Sequence, residues 1–431
     1  MAAEVIDTIF AVSSGRPPAA IAVLRISGPD AMGAAVAMGG PLPPERRAAL
    51  RALYDPVDNR LLDRGLLLVF PGPATATGED LVELHLHGGR AVVDGVEAAL
   101  AAIPGLRPAA PGEFTRRALA NGRIDLTEAE GLADLLSAET EAQRRMAIDA
   151  SGGRLRRLVG EWSKQALTLS AMIEALLDHA DEDDVDASDA VVGRVRHDAA
   201  RLADAIDTVL SAPPVERLRD GIRVVLAGPP NAGKSTLLNR LVEREAAIVS
   251  PVAGTTRDRI EIPVTRNGMA WLFIDTAGIR DGADDAVERI GIERASRAMA
   301  EADIVLWLGE DEPPVGAIGL FPRCDLPGRT IPSDRIGVSA ITGVGMGVLW
   351  TRLTEHGRSL LPKTDEVALN RRQRTHAATA AAALHRASMQ QDPLLIGEEL
   401  RYAIGGFAAL TGVRATEAML DTLFGRFCIG K

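Results

Sequence analysis

The sequence predicts a multidomain chain that joins α+β and α/β parts, and three observations predict it. Short apolar runs punctuated by Gly and Pro fill the stretch to about residue 118, the mark of an α+β domain. Long Ala/Leu/Arg-rich helical periodicity then runs from Glu113 to roughly Leu210 and returns after Pro362. Between these helical stretches, strands alternate with helices from Ile222 to about Leu360, the pattern of a parallel-rich sheet. Pro213-Pro214 and Leu361-Pro362 mark the boundaries, giving segments 1–118, 119–216, 217–360 and 361–431. The two helical segments pack into one helical domain, with the α/β segment inserted between them. A length of 431 residues suits about two to four domains with substantial cores.

Taken in order, Ala20–Ile26, Leu66–Phe70 and Asp80–His87 read as strands, and Val92–Ala102 as a helix. Along Asp80–His87 the period of two places Glu83, His85 and His87 on one face. That face suits a metal site or a hydrogen-bonded strand surface, and the second reading is favoured. The acidic stretch Asp181–Asp186 reads as a solvated loop between helices. Ile222–Ala227 is a continuous apolar run, as a buried parallel strand requires, and Thr236–Glu243 continues as an amphipathic helix. Trp271–Asp275 and Ile318–Phe321 are further strands. The link from Gly309 to Ala317 is too short for a crossover helix, since a whole parallel crossover takes about ten to twelve residues.

Composition sets bounds. A formal charge of −11 argues against tight binding to nucleic acid through bulk charge, so such a partner needs local basic patches. Cys324 and Cys428 lie far apart and have neither disulfide-framework nor zinc spacing. The N-terminus lacks the basic and apolar regions of a signal peptide, and no apolar run reaches membrane-spanning length. A soluble, cytoplasmic protein is expected.

Chemistry concentrates in Gly228-Pro-Pro-Asn-Ala-Gly-Lys-Ser235, between the strand and the helix just described. Glycines let backbone N–H groups turn inward on a polyphosphate at a helix N-terminus, whose dipole favours anions. Asn231, Ala232, Gly233, Lys234, Ser235 and Thr236 form this cradle, with Lys234 reaching the outer phosphates and Ser235 ligating magnesium. Downstream, Ala253-Gly-Thr-Thr-Arg-Asp258 and the strand end Asp275-Thr-Ala-Gly278 follow in the order of a triphosphate switch. Asp275 supports magnesium through water, the Gly278 N–H meets the terminal phosphate, and Thr256 completes the metal shell. Order and spacing favour a GTPase over a generic ATPase.

With Leu24-Arg-Ile-Ser-Gly28, Thr77-Gly-Glu-Asp80, His87-Gly-Gly89, Pro111-Gly-Glu-Phe114 and the closing Phe427-Cys-Ile-Gly-Lys431, the chain resembles the tRNA modification GTPase family MnmE/TrmE from end to end. The resemblance implies an N-terminal folate-binding and dimerisation domain, a helical domain, and an inserted P-loop, Ras-like GTPase domain. It implies a potassium ion in place of an arginine finger, held by Asn231 and by the loop from Ser250 through Pro251, Val252, Ala253 and Gly254 to Thr255. It puts Glu288 in the role of orienting the attacking water, and it adds Thr276 and Ala277 to the GTP contacts. The guanine-reading Asn-Lys-x-Asp motif departs from the pattern, since Pro322-Arg-Cys-Asp325 stands there. Asp325 keeps the acceptor for the base, Arg323 only partly mimics lysine, and Ser339 and Ala340 resemble the loop that closes over guanine. Weaker GTP preference than usual for the family is expected.

At the other end, the resemblance assigns folate contacts to Arg25, Glu83, Arg123 and Lys431, with Arg123 replacing the family's lysine. Cys428 is a candidate for chemistry on tRNA or folate. Arg154-Leu-Arg-Arg157 and Asn370-Arg-Arg-Gln-Arg374 are candidate phosphate contacts for tRNA, although solvated helix faces are the favoured reading. The implied activity adds an aminomethyl or carboxymethylaminomethyl group at carbon 5 of the wobble uridine. Mg2+, K+ and a methylene- or 5-formyl-tetrahydrofolate are the implied cofactors. The implied partners are a second copy, the tRNA, and a flavin-dependent protein that carries FAD and completes a heterotetramer. The alternatives are a regulatory GTPase acting on the ribosome or an assembly factor, and a scaffold with degenerate nucleotide specificity.

Overall fold

In the computed structural model, the residues described are 7–178, 185–242, 260–275, 296–363, 366–413, 416–425, 427, 429 and 430. In chain order they form β1 (Thr8–Val12), β2 (Ile21–Ser27), α1 (Ala31–Gly39), β3 (Ala49–Tyr54), β4 (Leu61–Phe70), β5 (Leu81–His87), α2 (Arg90–Ala101), β6 (Leu106–Pro108) and α3 (Glu113–Ala120). The helices α4 (Leu126–Ser137), α5 (Glu141–Ser151), α6 (Arg154–Asp178), α7 (Val185–Leu210) and the short α8 (Glu216–Arg219) follow. Next come β7 (Ile222–Ala227), α9 (Lys234–Val242), β8 (Ile260–Arg266), β9 (Met269–Asp275), β10 (Ile304–Leu308), β11 (Ile318–Pro322) and β12 (Ile336–Val338). The chain ends in α10 (Met346–Leu360), α11 (Arg371–Met389), α12 (Pro393–Thr411) and α13 (Glu417–Phe424). The contacts divide these elements into two compact units, one of residues 1–133, 150–156 and 408–431, the other of 134–149 and 157–407.

The first unit is built on a mixed sheet of order β3-β4-β5-β2-β1-β6, antiparallel except where β1 pairs with β6. One face packs Leu24, Ile26, Leu84 and Leu86 against Ala31, Ala34, Ala35 and Met38 of α1 and Val96 and Leu100 of α2. Small alanines on α1 let that helix lie close to the sheet. The last residues belong here as well: Phe424 and Phe427 pack with Ala129, and the Ser13 hydroxyl donates to the Gly430 carbonyl at 2.7 Å. Gly430 has φ 90°, and a Cβ there would stand 2.1 Å from the Val12 carbonyl oxygen, so no other residue fits without a shift.

The second unit combines helices with the sheet β12-β11-β10-β7-β9-β8, parallel except for β8 on β9. Its core sets Val224, Leu226, Leu306 and Leu320 against Leu237 and Leu241 of α9 and Leu349 and Leu353 of α10. Trp350 meets both Trp271 and Phe273 edge-on, with ring centroids 5.8 Å apart in each pair. Each such pair contributes about 1 kcal/mol beyond its area. In the helical part, α7 buries Val195, Ala199, Leu202 and Ile206, a three-to-four-residue stripe. Helix α11, with Ala377, Ala380, Ala381, Ala383 and Ala387 buried, packs against it. Asn370 starts α11 with a reciprocal capping box to Gln373, worth about 1 kcal/mol.

The anticipated strands and helices recur with small shifts, and β4 begins earlier than expected, at Leu61. Strands β1, β3 and β6 lay outside the sequence reading: β3 is an edge strand with weak alternation, and β6 has three residues. Parallel β10 and β11 are joined without a helix, as the short Gly309–Ala317 link required. Residues 181–184 of the acidic stretch lie outside the described residues. No helix among the described residues is long and apolar enough to cross a membrane.

Candidate functional site

The phosphate loop begins where β7 ends and closes where α9 starts. Gly228 has φ 141°, and a Cβ there would stand 2.4 Å from the Leu308 carbonyl oxygen of the neighbouring strand. Only glycine lets the loop leave the sheet so close to β10. Asn231 and Gly233 also hold positive φ, 58° and 93°, which curls the backbone as an anion cradle requires. Lys234 is 8 % exposed, and its ammonium donates to the carbonyls of Gly228 and Pro229 at 2.9 and 2.8 Å. A buried charge needs such partners, and these carbonyls hold it over the loop.

Because β7 and β9 pair in parallel with Leu226 opposite Asp275, the strand ends lie side by side at the start of α9. Ser235 Oγ donates to Asp275 Oδ2 at 2.8 Å, and Asp275 is 3 % exposed. A hydroxyl and a carboxylate meeting at a helix N-terminus are the oxygen donors that magnesium takes, directly and through water. Ala232 packs against the sheet core, while Thr236 is exposed on the first turn of the helix.

A second group of loops is assembled from the ends of β11 and β12. Their register sets Pro322 opposite Val338, so the Arg323–Asp325 turn adjoins the loop of Ser339 and Ala340. The Cys324 N–H donates to the Val338 carbonyl at 3.3 Å. Asp325 is exposed; Ser339 is buried and its hydroxyl accepts the Thr342 N–H at 3.1 Å, shaping the loop. Arg323, at φ 56°, donates from Nη2 to the Asn231 carbonyl at 2.9 Å, linking this turn to the phosphate loop. The structure therefore brings Asn231, Ala232, Gly233, Lys234, Ser235, Thr236 and Asp275 together at one end of the sheet, with Asp325, Ser339 and Ala340 along the same edge. Ser250, Pro251, Val252, Ala253, Gly254, Thr255, Thr256, Thr276, Ala277, Gly278 and Glu288 lie outside the described residues.

In the first unit, β2 and β5 pair with Arg25 directly opposite Glu83. Arg25 Nε donates to Glu83 Oε1 at 2.9 Å, and His85 Nε2 lies 3.2 Å from Glu83 Oε2. Burial pushes the Glu83 carboxyl up, but the hydrogen bonds of His85 and Arg25 and their charges outweigh it and hold it below the usual range. His87 turns instead to Asp63 on β4, at 2.8 Å, so Glu83, His85 and His87 form a hydrogen-bonded strand face. Arg123 donates to the Thr75 carbonyl at 3.1 Å. Gly430 sits beside Ser13, whose N–H bonds Val23 on the strand that carries Arg25; Lys431 and Cys428 lie outside the described residues.

Sequence reasoning passed over Glu79, which accepts from Ser27 Oγ at 2.7 Å and from Arg117 Nη1 at 3.3 Å, bracing the turn that precedes β5. Its place in the Thr77-Gly-Glu-Asp80 word was the available signal. In the basic clusters, Arg374 caps α7 by donating to the Leu210 and Ala212 carbonyls at 2.6 and 2.9 Å, and Arg156 pairs with Glu128 at 2.9 Å. Both arginines have structural work.

The chain matches two family models, "GTP-binding protein TrmE N-terminus" over residues 8–123 and "MnmE helical domain" over residues 126–428. It is 54 % identical over 427 residues to a tRNA modification GTPase MnmE of Erythrobacter litoralis, covering 99 % of this chain and 100 % of that one. A protein of the same name from Novosphingobium aromaticivorans is 54 % identical over 437 residues, at 99 % and 100 % coverage. Among solved structures, Era of Aquifex aeolicus bound to GDP·AlF4− aligns over 40 % of this chain and 69 % of its own, at 24 % identity and a TM-score of 0.24.

Proposed function

Since the chain belongs to the tRNA modification GTPase MnmE family, we propose that it hydrolyses GTP in the service of tRNA modification. The observation that carries this reading is the buried Lys234 beside the Ser235–Asp275 pair, at the junction of two parallel strands and a helix N-terminus. The amides of the loop from Asn231 to Ser235 grip the phosphates. Lys234 exchanges the Gly228 and Pro229 carbonyls for phosphate oxygens. Ser235 and Asp275, with Thr256, would hold magnesium, which would neutralise charge on the terminal phosphates. Asn231, Ser250, Val252 and Thr255 would hold potassium, which would supply the positive charge that an arginine supplies elsewhere. Glu288 orients the attacking water, and Asp325 with the Ser339–Ala340 loop recognises guanine.

The finer reaction we propose takes its lead from the family resemblance. The protein adds an aminomethyl or carboxymethylaminomethyl group at carbon 5 of the wobble uridine, together with a flavin-dependent partner that carries FAD. The one-carbon unit comes from a tetrahydrofolate derivative bound by Arg25, Glu83, Arg123 and Lys431 in the N-terminal domain, where two copies pair. The Arg25–Glu83 pair supports this reading, because an ionised carboxylate suits the N–H donors of a pterin and a guanidinium suits a carboxylate. Hydrolysis of GTP opens and closes the assembly, and the base chemistry itself runs elsewhere.

Hydrolysis of GTP and ATP, each in potassium and in sodium, tests the first part, with a titration of 5-formyl-tetrahydrofolate alongside. Faster turnover of GTP in potassium and saturable folate binding are expected. Equal rates for both nucleotides would overturn guanine recognition. Potassium-stimulated hydrolysis without folate binding would leave a regulatory GTPase.

A further inference from the structure

We infer that Arg335 is a positioning residue for the phosphate loop, taking over the work of the crossover helix absent between β10 and β11. This rests on the nucleotide-binding reading above and adds a residue to it.

A strand that runs into a crossover helix hands its last carbonyls to that helix or to the turn before it. Here β10 runs into Gly309–Ala317, which has no helix. The guanidinium of Arg335, one residue before β12, fills the gap: Nη1 donates to the Gly309 carbonyl, and Nη2 to the carbonyls of Glu310 and Asp311 at 3.0 and 2.6 Å. The Arg335 side chain is 6 % exposed. Its stem covers the sheet where a helix would pack, since a Cβ on Gly319 would stand 3.3 Å from Arg335 Cγ and 3.0 Å from Pro313 Cγ. One side chain thus closes the sheet face and pins three consecutive carbonyls.

The first of those three residues, Gly309, adjoins the phosphate loop. A Cβ on Gly309 would stand 3.2 Å from Pro229 Cδ, and Leu308 is the residue against which Gly228 is fitted. Gly228 and Pro229 are in turn the residues whose carbonyls hold the Lys234 ammonium. The line of contact runs from Arg335 through Gly309 and Pro229 to Lys234, all within the second unit. Arg335 touches no nucleotide in this scheme; it fixes the wall against which the loop is set.

The test compares Arg335→Met and Arg335→Lys with Arg329→Met in the full-length protein. Arg329 lies over the Phe321 ring at 4.3 Å and bonds the Glu310 carboxylate, so its loss disturbs the neighbouring side chains without freeing the three carbonyls. Affinity for a fluorescent GDP, the KM and kcat for GTP, and Tm are measured for each variant. Arg335→Met keeps the stem and loses the donors, so GDP binding and KM weaken about tenfold while kcat holds. Arg335→Lys, which keeps a donor, recovers much of that loss even if Tm stays lowered. Arg329→Met lowers Tm with affinity near the parent's. The inference is overturned if Arg335→Met matches the parent's affinity, or if its loss is no greater than that of Arg329→Met at equal loss of Tm. A parent protein that binds no guanine nucleotide would sink the nucleotide reading itself, a separate outcome.

Discussion

The phosphate loop and the Arg25–Glu83 face are built by opposite means. At the loop, neighbours in sequence meet through main-chain atoms, and the buried Lys234 is held by carbonyls five and six residues away. On the N-terminal sheet, side chains 58 positions apart meet because β2 and β5 pair in one register. A slip of one residue between those strands would turn Arg25 or Glu83 to the opposite face, whereas the loop would survive it. The first kind of site is a property of a local fold, the second of a tertiary arrangement. They should fail in different ways.

The sharpest contrast comes from Lys234→Ala, which removes the one charge the loop supplies. A fall in kcat/KM for GTP of roughly 10²-fold or more is expected, with folate affinity unchanged. If steady-state kinetics showed a minor loss, the loop's grip would not depend on that ammonium. Asp325→Ala acts at the exposed residue proposed to read the base; it should cut the preference for GTP over ATP about tenfold and leave ATP turnover near its starting value. Parallel loss of both activities would mean that the turn serves the loop and not the base.

The smallest effect belongs to the sheet. Glu83→Gln should weaken binding of a tetrahydrofolate derivative about fivefold, read by fluorescence titration. A carboxyl held below its ordinary value favours the folded, charged pair above that value and loses the advantage as pH falls through the lowered one. The parent should therefore keep its affinity through neutral pH and lose it in acid below the usual carboxylate range. Glu83→Gln should lack that acid limb. An identical limb in the variant would show that another group titrates there.

The same contrast explains what could be read from the chain. Strand, glycine loop and helix lie in one contiguous word, so Lys234 and Ser235 were legible, and motif order anticipated the meeting of Ser235 with Asp275. The lack of a helix after β10 followed from counting residues. The resemblance named Arg25 and Glu83 only as separate folate contacts, and their pairing was not foreseen, because nothing in either strand says which residue of the other it will face. Arg335 left no signal at all. It is one of three arginines, with Arg323 and Arg329, in a Gly/Pro-rich stretch, and its three acceptors are carbonyls, which every residue has.

The seating of Phe424, Phe427 and Gly430 in the first unit has a consequence for synthesis. Residues 1–133 leave the ribosome long before residues 408–430 have been joined to the growing chain. Their sheet can form early, but its final packing must wait until residues 408–430 are translated. A prematurely terminated polypeptide would carry a whole phosphate loop and an unfinished N-terminal body, and a cell's proteases could tell the two products apart on that surface alone.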